Sequence, residues 1–220
     1  MMKSKQKRII TTWLYIGLIL IALMVIIGGI TRLTHSGLSM VEWKLIGGVI
    51  PPLNELQWQE TFEKYQQFPE YQKINTGMEI NQFKLIFFWE YIHRLLGRLI
   101  GIIFIVPFIF FWTKQWFNNK QKNQLLLLLV LGGLQGFLGW FMVKSGLVDV
   151  PAISHYRLAI HLIVAFGIMC YIYWLILSIN EVKRSPNKLI NKLSKWLIIT
   201  LVIQVIYGAF IAGLKAGYLL

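Results

Sequence analysis

The chain has 220 residues, 56% of them apolar and 14% charged, with a mean hydropathy of +0.60. Soluble domains carry about a quarter charged residues, so a disordered chain is excluded and a water-soluble globule disfavoured. A single cysteine, Cys170, excludes an internal disulfide framework and a CxxC motif, and the net charge of +13 would suit nucleic acid only if the basic residues were placed for it.

Five apolar stretches approach the roughly 20 residues that a bilayer-spanning helix needs. They run Thr12 to Ile30, Leu85 to Trp112, Leu125 to Val143, Ala159 to Ile179 and Lys195 to Ala212. The first follows a basic N-terminus without a small-residue cleavage site, which predicts a retained span and not a signal peptide. The connection from Arg32 to Lys84 is too long for a simple link. Pro51 and Pro52 divide it, and Trp58, Phe62 and Tyr65 then recur at amphipathic helical spacing. That aromatic face suits the membrane surface and equally a lid over the bundle, two compatible readings. Trp13, Trp112 and Trp196, near span ends, read as an interfacial belt.

The charges alternate between connections. Lys3, Lys5, Lys7 and Arg8 precede the first span; Lys114, Lys120 and Lys122 lie in the second connection; Lys183, Arg184, Lys188 and Lys192 face only Glu181 in the fourth. The first connection is balanced, with five basic and six acidic residues, and the third has only Lys144 and Asp149. The positive-inside rule then predicts a multi-pass protein of the cell's inner (plasma) membrane, with a cytoplasmic N-terminus and an outer C-terminus. Nucleic acid falls away as a partner and membrane lipid takes its place.

An ungapped repeat at an offset of 180 pairs Val25, Ile26, Gly28 and Gly37 with Val205, Ile206, Gly208 and Gly217, and Ser36 with Ala216. It suggests an all-α polytopic membrane helix bundle with five transmembrane helices. Residues 1–180 would be a four-helix unit with a long outer loop over 32–84. Residues 181–220 would be a cytoplasmic linker and the first helix of a second unit.

Ionisable residues inside a membrane are costly and therefore functional candidates. Span two carries Glu90, His93, Arg94 and Arg98; span four opens with His155 and Arg157 and reaches His161. Glu90, His93 and Arg94 stand at i, i+3, i+4, with Gly97 and Gly101 continuing the row and leaving room for something flat. His93 lies about nine residues, or roughly 13 Å, from the outer end of its span at 1.5 Å per residue, and His161 stands at a similar depth on a span running the same way. Two imidazoles at one level can take both axial positions of a haem iron. Arg94, Arg98 and Arg157 would then neutralise the propionates. Plainer readings stand beside this one: Glu90 pairing with Arg94, the glycines serving helix packing, and His35 and His155 solvated at the membrane boundary.

The residues GGITRLTHSGLSMVEWKLIGGVIPPL (28–53), FPEYQKIN (68–75), FFWEYIHRLLGRLIG (87–101), VDVPAISHYRLAIHL (148–162) and GAFIAGLKAG (208–217) resemble the haem A synthase family. The resemblance implies oxidation of the C8 methyl group of haem O to the formyl group of haem A for cytochrome oxidase. It implies eight helices in two similar halves, each with a histidine pair, the N-terminal pair holding the haem substrate and the C-terminal pair a haem b. His93 and His161 match the N-terminal pair, and Glu90 matches the carboxylate held important for oxidation. Some members carry a cysteine pair in the first outer loop, which this sequence lacks. Haem O synthase and an electron donor are implied partners. Spans six to eight have no counterpart, so the expectation is a truncated synthase or a short form completed by another chain or a second copy. A haem-holding half without catalysis is the alternative, and a generic cytochrome b the third reading.

Overall fold

Asn118 shows how polar ends start an apolar helix in this chain. Its side chain accepts from the Gln121 amide at 2.9 Å while Gln121 returns the bond to the Asn118 amide at 3.0 Å, satisfying N–H groups that a helix start leaves open. The same reciprocal device at Glu79 and Gln82 opens the longest helix. Such starts carry the spans several residues beyond their apolar stretches.

The computed structural model describes residues 3–42, 47–147, 152–183 and 186–214. The elements are α1 (Ser4–Leu33), a 3-10 turn (Gly47–Val49), α2 (Glu55–Gln66), α3 (Pro69–Lys73), α4 (Ile80–Thr113), α5 (Asn119–Gly146), α6 (His155–Ile179) and α7 (Lys188–Leu214). Among the described residues all regular structure is helical, and α1, α4, α5, α6 and α7 are long and apolar enough to cross a membrane. This is the five-span helical bundle expected. Trp43, Lys44, Asp149, Arg184, Ala216 and Gly217, used in the motif, charge and repeat readings, lie outside the described residues.

Four helices close a ring. α1 packs on α4 and α6, and α5 packs on the same two, so α4 and α6 face each other diagonally. α7 lies outside the ring against α6. Its C-terminal end is held by the Arg32 guanidinium, which donates to the Ala212 carbonyl at 2.6 Å, and by close approach of Gly213 to His155. Its remaining apolar surface, from Leu189 to Leu214, is largely exposed.

Two apolar clusters bracket the ring. The inner one joins Ile10 and Leu14 of α1, Phe108 and Phe111 of α4, Leu125 of α5, and Ile172 to Ile179 of α6. Trp13 belongs to it. Instead of joining an interfacial belt, it is 7% exposed and donates its indole N–H to the Ile103 carbonyl at 2.8 Å. Pro107 lacks the N–H that would normally reach that carbonyl in α4, so a buried acceptor drew the ring inward. Trp112 and Trp196 do stay exposed.

The outer cluster is the cap. Phe62 and Tyr65 of α2 bury against Phe83 and Phe87 of α4 with Met40, and Trp58 meets Phe87 edge-on at 5.1 Å. The aromatic face of α2 therefore packs on the bundle as a lid. The loop after α1 crosses the same mouth: a Cβ at Gly146 would lie 3.1 Å from Leu38, and one at Gly37 would lie 3.4 Å from Ile153.

Candidate functional site

Between the two clusters the ring narrows to small and polar residues. His93 on α4 lies against Gly28 of α1, where a Cβ would stand 3.2 Å from Nε2. His161 on α6 lies against Gly139 of α5, where a Cβ would stand 3.1 Å from Cε1. Each imidazole thus rests on a glycine of a neighbouring helix, and the two come from the diagonal helices of the ring. Gly97 meets Met24, while nothing crowds Gly101.

Gln135 of α5 completes this level. Its amide nitrogen lies 3.0 Å from the His161 carbonyl and 3.4 Å from His161 Nε2. Its Oε1 and His161 Nδ1 are buried without a hydrogen-bond partner among the described residues. Buried polar atoms are ordinarily satisfied, so this level is built to receive something. Among the described residues no three His, Cys, Asp or Glu side chains converge as a metal cage. Imidazoles from two diagonal helices suit an iron whose other ligands come from a macrocycle, and a haem fits this donor set.

Glu90 and Arg94 face elsewhere. Glu90 is 3% exposed; Oε1 pairs with Arg94, and Oε2 accepts from Ser39 Oγ at 2.7 Å and the Met40 amide at 2.8 Å. Arg94 also donates to the carbonyls of Met40 at 2.8 Å and Glu42 at 3.2 Å. The pair therefore clamps the start of the outer loop onto α4, and the plainer reading of Glu90 as the partner of Arg94 is present in the geometry. Arg98 reaches the turn at Gly48, where a Cβ would stand 3.1 Å from its guanidinium. Arg157 stacks over Phe141 at 4.5 Å. His35 is exposed at φ 52°, closing α1, and His155 packs edge-on against Phe210 of α7.

The family model COX15-CtaA, described as cytochrome oxidase assembly protein, matches residues 11–220. The chain belongs to that family. Proteins named heme A synthase from Flavobacterium johnsoniae, Paramagnetospirillum magneticum and Nitrosospira multiformis are 46%, 47% and 46% identical to it. The matches cover 98%, 96% and 98% of this chain and 64%, 61% and 62% of the respective relatives. The chain thus spans a little over three-fifths of the length of these members. No solved structure matches.

Sequence reasoning did not single out Gln135, Gly139 or the contact of Gly28 with His93. A signal existed for two of them: Gln135 and Gly139 stand at i, i+4 in an otherwise apolar span. Nothing local marked them as neighbours of His161, because that neighbour comes from another helix.

Proposed function

We propose that this chain holds haem O between His93 and His161 and takes part in oxidising its C8 methyl group to the formyl of haem A, for cytochrome oxidase. The observation that carries the reading is the pair of glycine-backed imidazoles on diagonal helices, at a level flanked by dry clusters and lined by unsatisfied polar atoms. Family membership and the heme A synthase relatives support it.

His93 and His161 are the proposed axial ligands of the haem iron. Arg98 and Arg157, each about one turn from its histidine, are proposed for the propionates; Arg94 was expected to join them but is committed to Glu90 and the loop carbonyls. Of the two roles open to Glu90, electrostatic support suits the geometry better than proton uptake. A carboxylate whose two oxygens already accept three donors is held as a fixed negative charge, and fixed charge acts on positive charge developing nearby. Turning a methyl into a formyl group takes one oxygen atom from water and releases four electrons and four protons, so the electrons need an acceptor, proposed here as the haem b of a complementing C-terminal half; a second copy is the other proposed partner. Haem O synthase is the proposed source of substrate. We propose residues 1–180 as the haem unit and 181–220 as the beginning of the next, in the plasma membrane with the N-terminus cytoplasmic. The engagement of both Glu90 oxygens also favours a second reading, a haem-holding half with no oxidation of its own.

The test is spectroscopic. Haem-loaded protein with His93→Ala or His161→Ala should lose haem or pass from low-spin to high-spin, whereas His35→Ala should change little. Wild-type spectra in both single variants would refute the shared site.

A further inference from the structure

Gln135 makes two contacts through one nitrogen, and together they determine where a proton sits. The His161 carbonyl, 3.0 Å from that nitrogen, can only accept. The atom facing it must therefore be the amide NH2 and not the amide oxygen. The same NH2 faces His161 Nε2 at 3.4 Å, and an NH2 group can only donate. Nε2 is then an acceptor with an exposed lone pair, and the neutral ring carries its proton at Nδ1. Gly139, one turn further along α5, leaves room for the ring, since a Cβ there would stand 3.1 Å from Cε1.

We propose that Gln135 is a positioning residue that presets His161 as an iron ligand by holding the tautomer with a free lone pair at Nε2. The proposal rests on the haem reading above and deepens it. A metal-binding imidazole usually has its tautomer set from the far nitrogen, by a carboxylate or carbonyl that also strengthens the metal bond. Here the far nitrogen, Nδ1, is buried with no such partner among the described residues. The tautomer is set from the ligating side instead. When iron takes the Nε2 lone pair, Gln135 gives up only its longer contact and keeps the carbonyl bond. The ligand is aligned in advance without being strengthened, which suits a haem that must leave as product.

The full chain, haem-free and labelled with nitrogen-15 in histidine, gives the direct test by magnetic resonance, with His161→Ala used to identify the His161 signal. Wild type should show Nδ1 protonated and Nε2 bare. Gln135→Leu should mix the two tautomers. Gln135→Met, close in size and unable to donate, guards against misfolding and should mix the two tautomers in the same way. Haem titration of the same chain with and without His161→Ala checks the haem reading itself by its low-spin fraction. A protonated Nε2 in wild type, or an unchanged His161 signal in Gln135→Leu, would overturn the assignment. A haem spectrum indifferent to His161→Ala would instead overturn the haem reading, and the haem-free spectra separate the two failures.

Discussion

Replacing Glu90 tests the clamp between α4 and the outer loop. Glu90→Ala strands the Met40 amide, leaves the Ser39 hydroxyl only backbone acceptors, the nearer being the Ser36 carbonyl 3.0 Å away, and breaks the Arg94 ion pair. A stranded buried donor costs about 1–3 kcal/mol, and breaking a buried ion pair about 3–5 kcal/mol. These losses overlap, so about 4 kcal/mol is a reasonable size for the whole. Glu90→Gln keeps the shape, but its NH2 must face either Arg94 or the Ser39 and Met40 donors, setting donor against donor at a cost of roughly 2 kcal/mol. If opening of the loop is fast, the cleavable population follows these energies. Glu90→Ala should then be cut in the loop about a thousandfold faster than wild type, and Glu90→Gln about thirtyfold faster. The assay is limited proteolysis in lipid discs with mapping of the cut sites. Cleavage of Glu90→Ala at the wild-type rate would refute the clamp. The same Gln variant, in a chain joined to a complementing half that makes haem A, tests chemistry: undiminished haem A would exclude an electrostatic role for Glu90.

Gly139→Ala puts a Cβ 3.1 Å from the His161 ring and should lower the low-spin haem fraction at a strain of about 1–3 kcal/mol; Gly136→Ala, with nothing within 4 Å, should not. Burial raises the Tyr65 pKa above its ordinary value, so the unfolded chain releases this proton first. The stability it contributes is complete below pH about 10 and is lost as the pH climbs towards the folded-state pKa; an alkaline absorbance titration should show a late phenolate that Tyr65→Phe removes. Reporter fusions at Asn118 and Asn187 should read cytoplasmic and one at Asn75 outside; a cytoplasmic Asn75 would reverse the orientation.

The five spans were legible because apolar length alone marks them, and their ends were not, because capping residues such as Asn118 extend helices into polar sequence. The lid reading of α2 needed its partners Phe83 and Phe87, which lie outside its own sequence. The grouping of Glu90, His93 and Arg94 on one face was too coarse. At about 100° per residue, i+3 and i+4 fall on opposite sides of i, so His93 and Arg94 diverge by about 100°. One turns to Gly28 and the other to the loop carbonyls. Trp13 defied the belt expectation because a proline near the end of another helix's apolar stretch had orphaned a carbonyl, a pairing invisible to either segment alone.

The inner cluster also has an electrical consequence. Voltage across a membrane falls mainly where polarisable water and polar groups are absent, and the tightly packed stretch from Ile10 and Phe111 to Ile172 is such a region. The level of His93 and His161 sits beyond it, towards the capped end. A charge carried from that level through the inner cluster would cross that share of the field, at up to about 2.3 kcal/mol per charge for each 100 mV, whereas one carried to the capped side would cross the aromatic cluster of Phe62, Tyr65, Phe83 and Phe87 instead. The packing at the two ends of the ring thus sets how much of a membrane voltage a charge at the histidine level would feel.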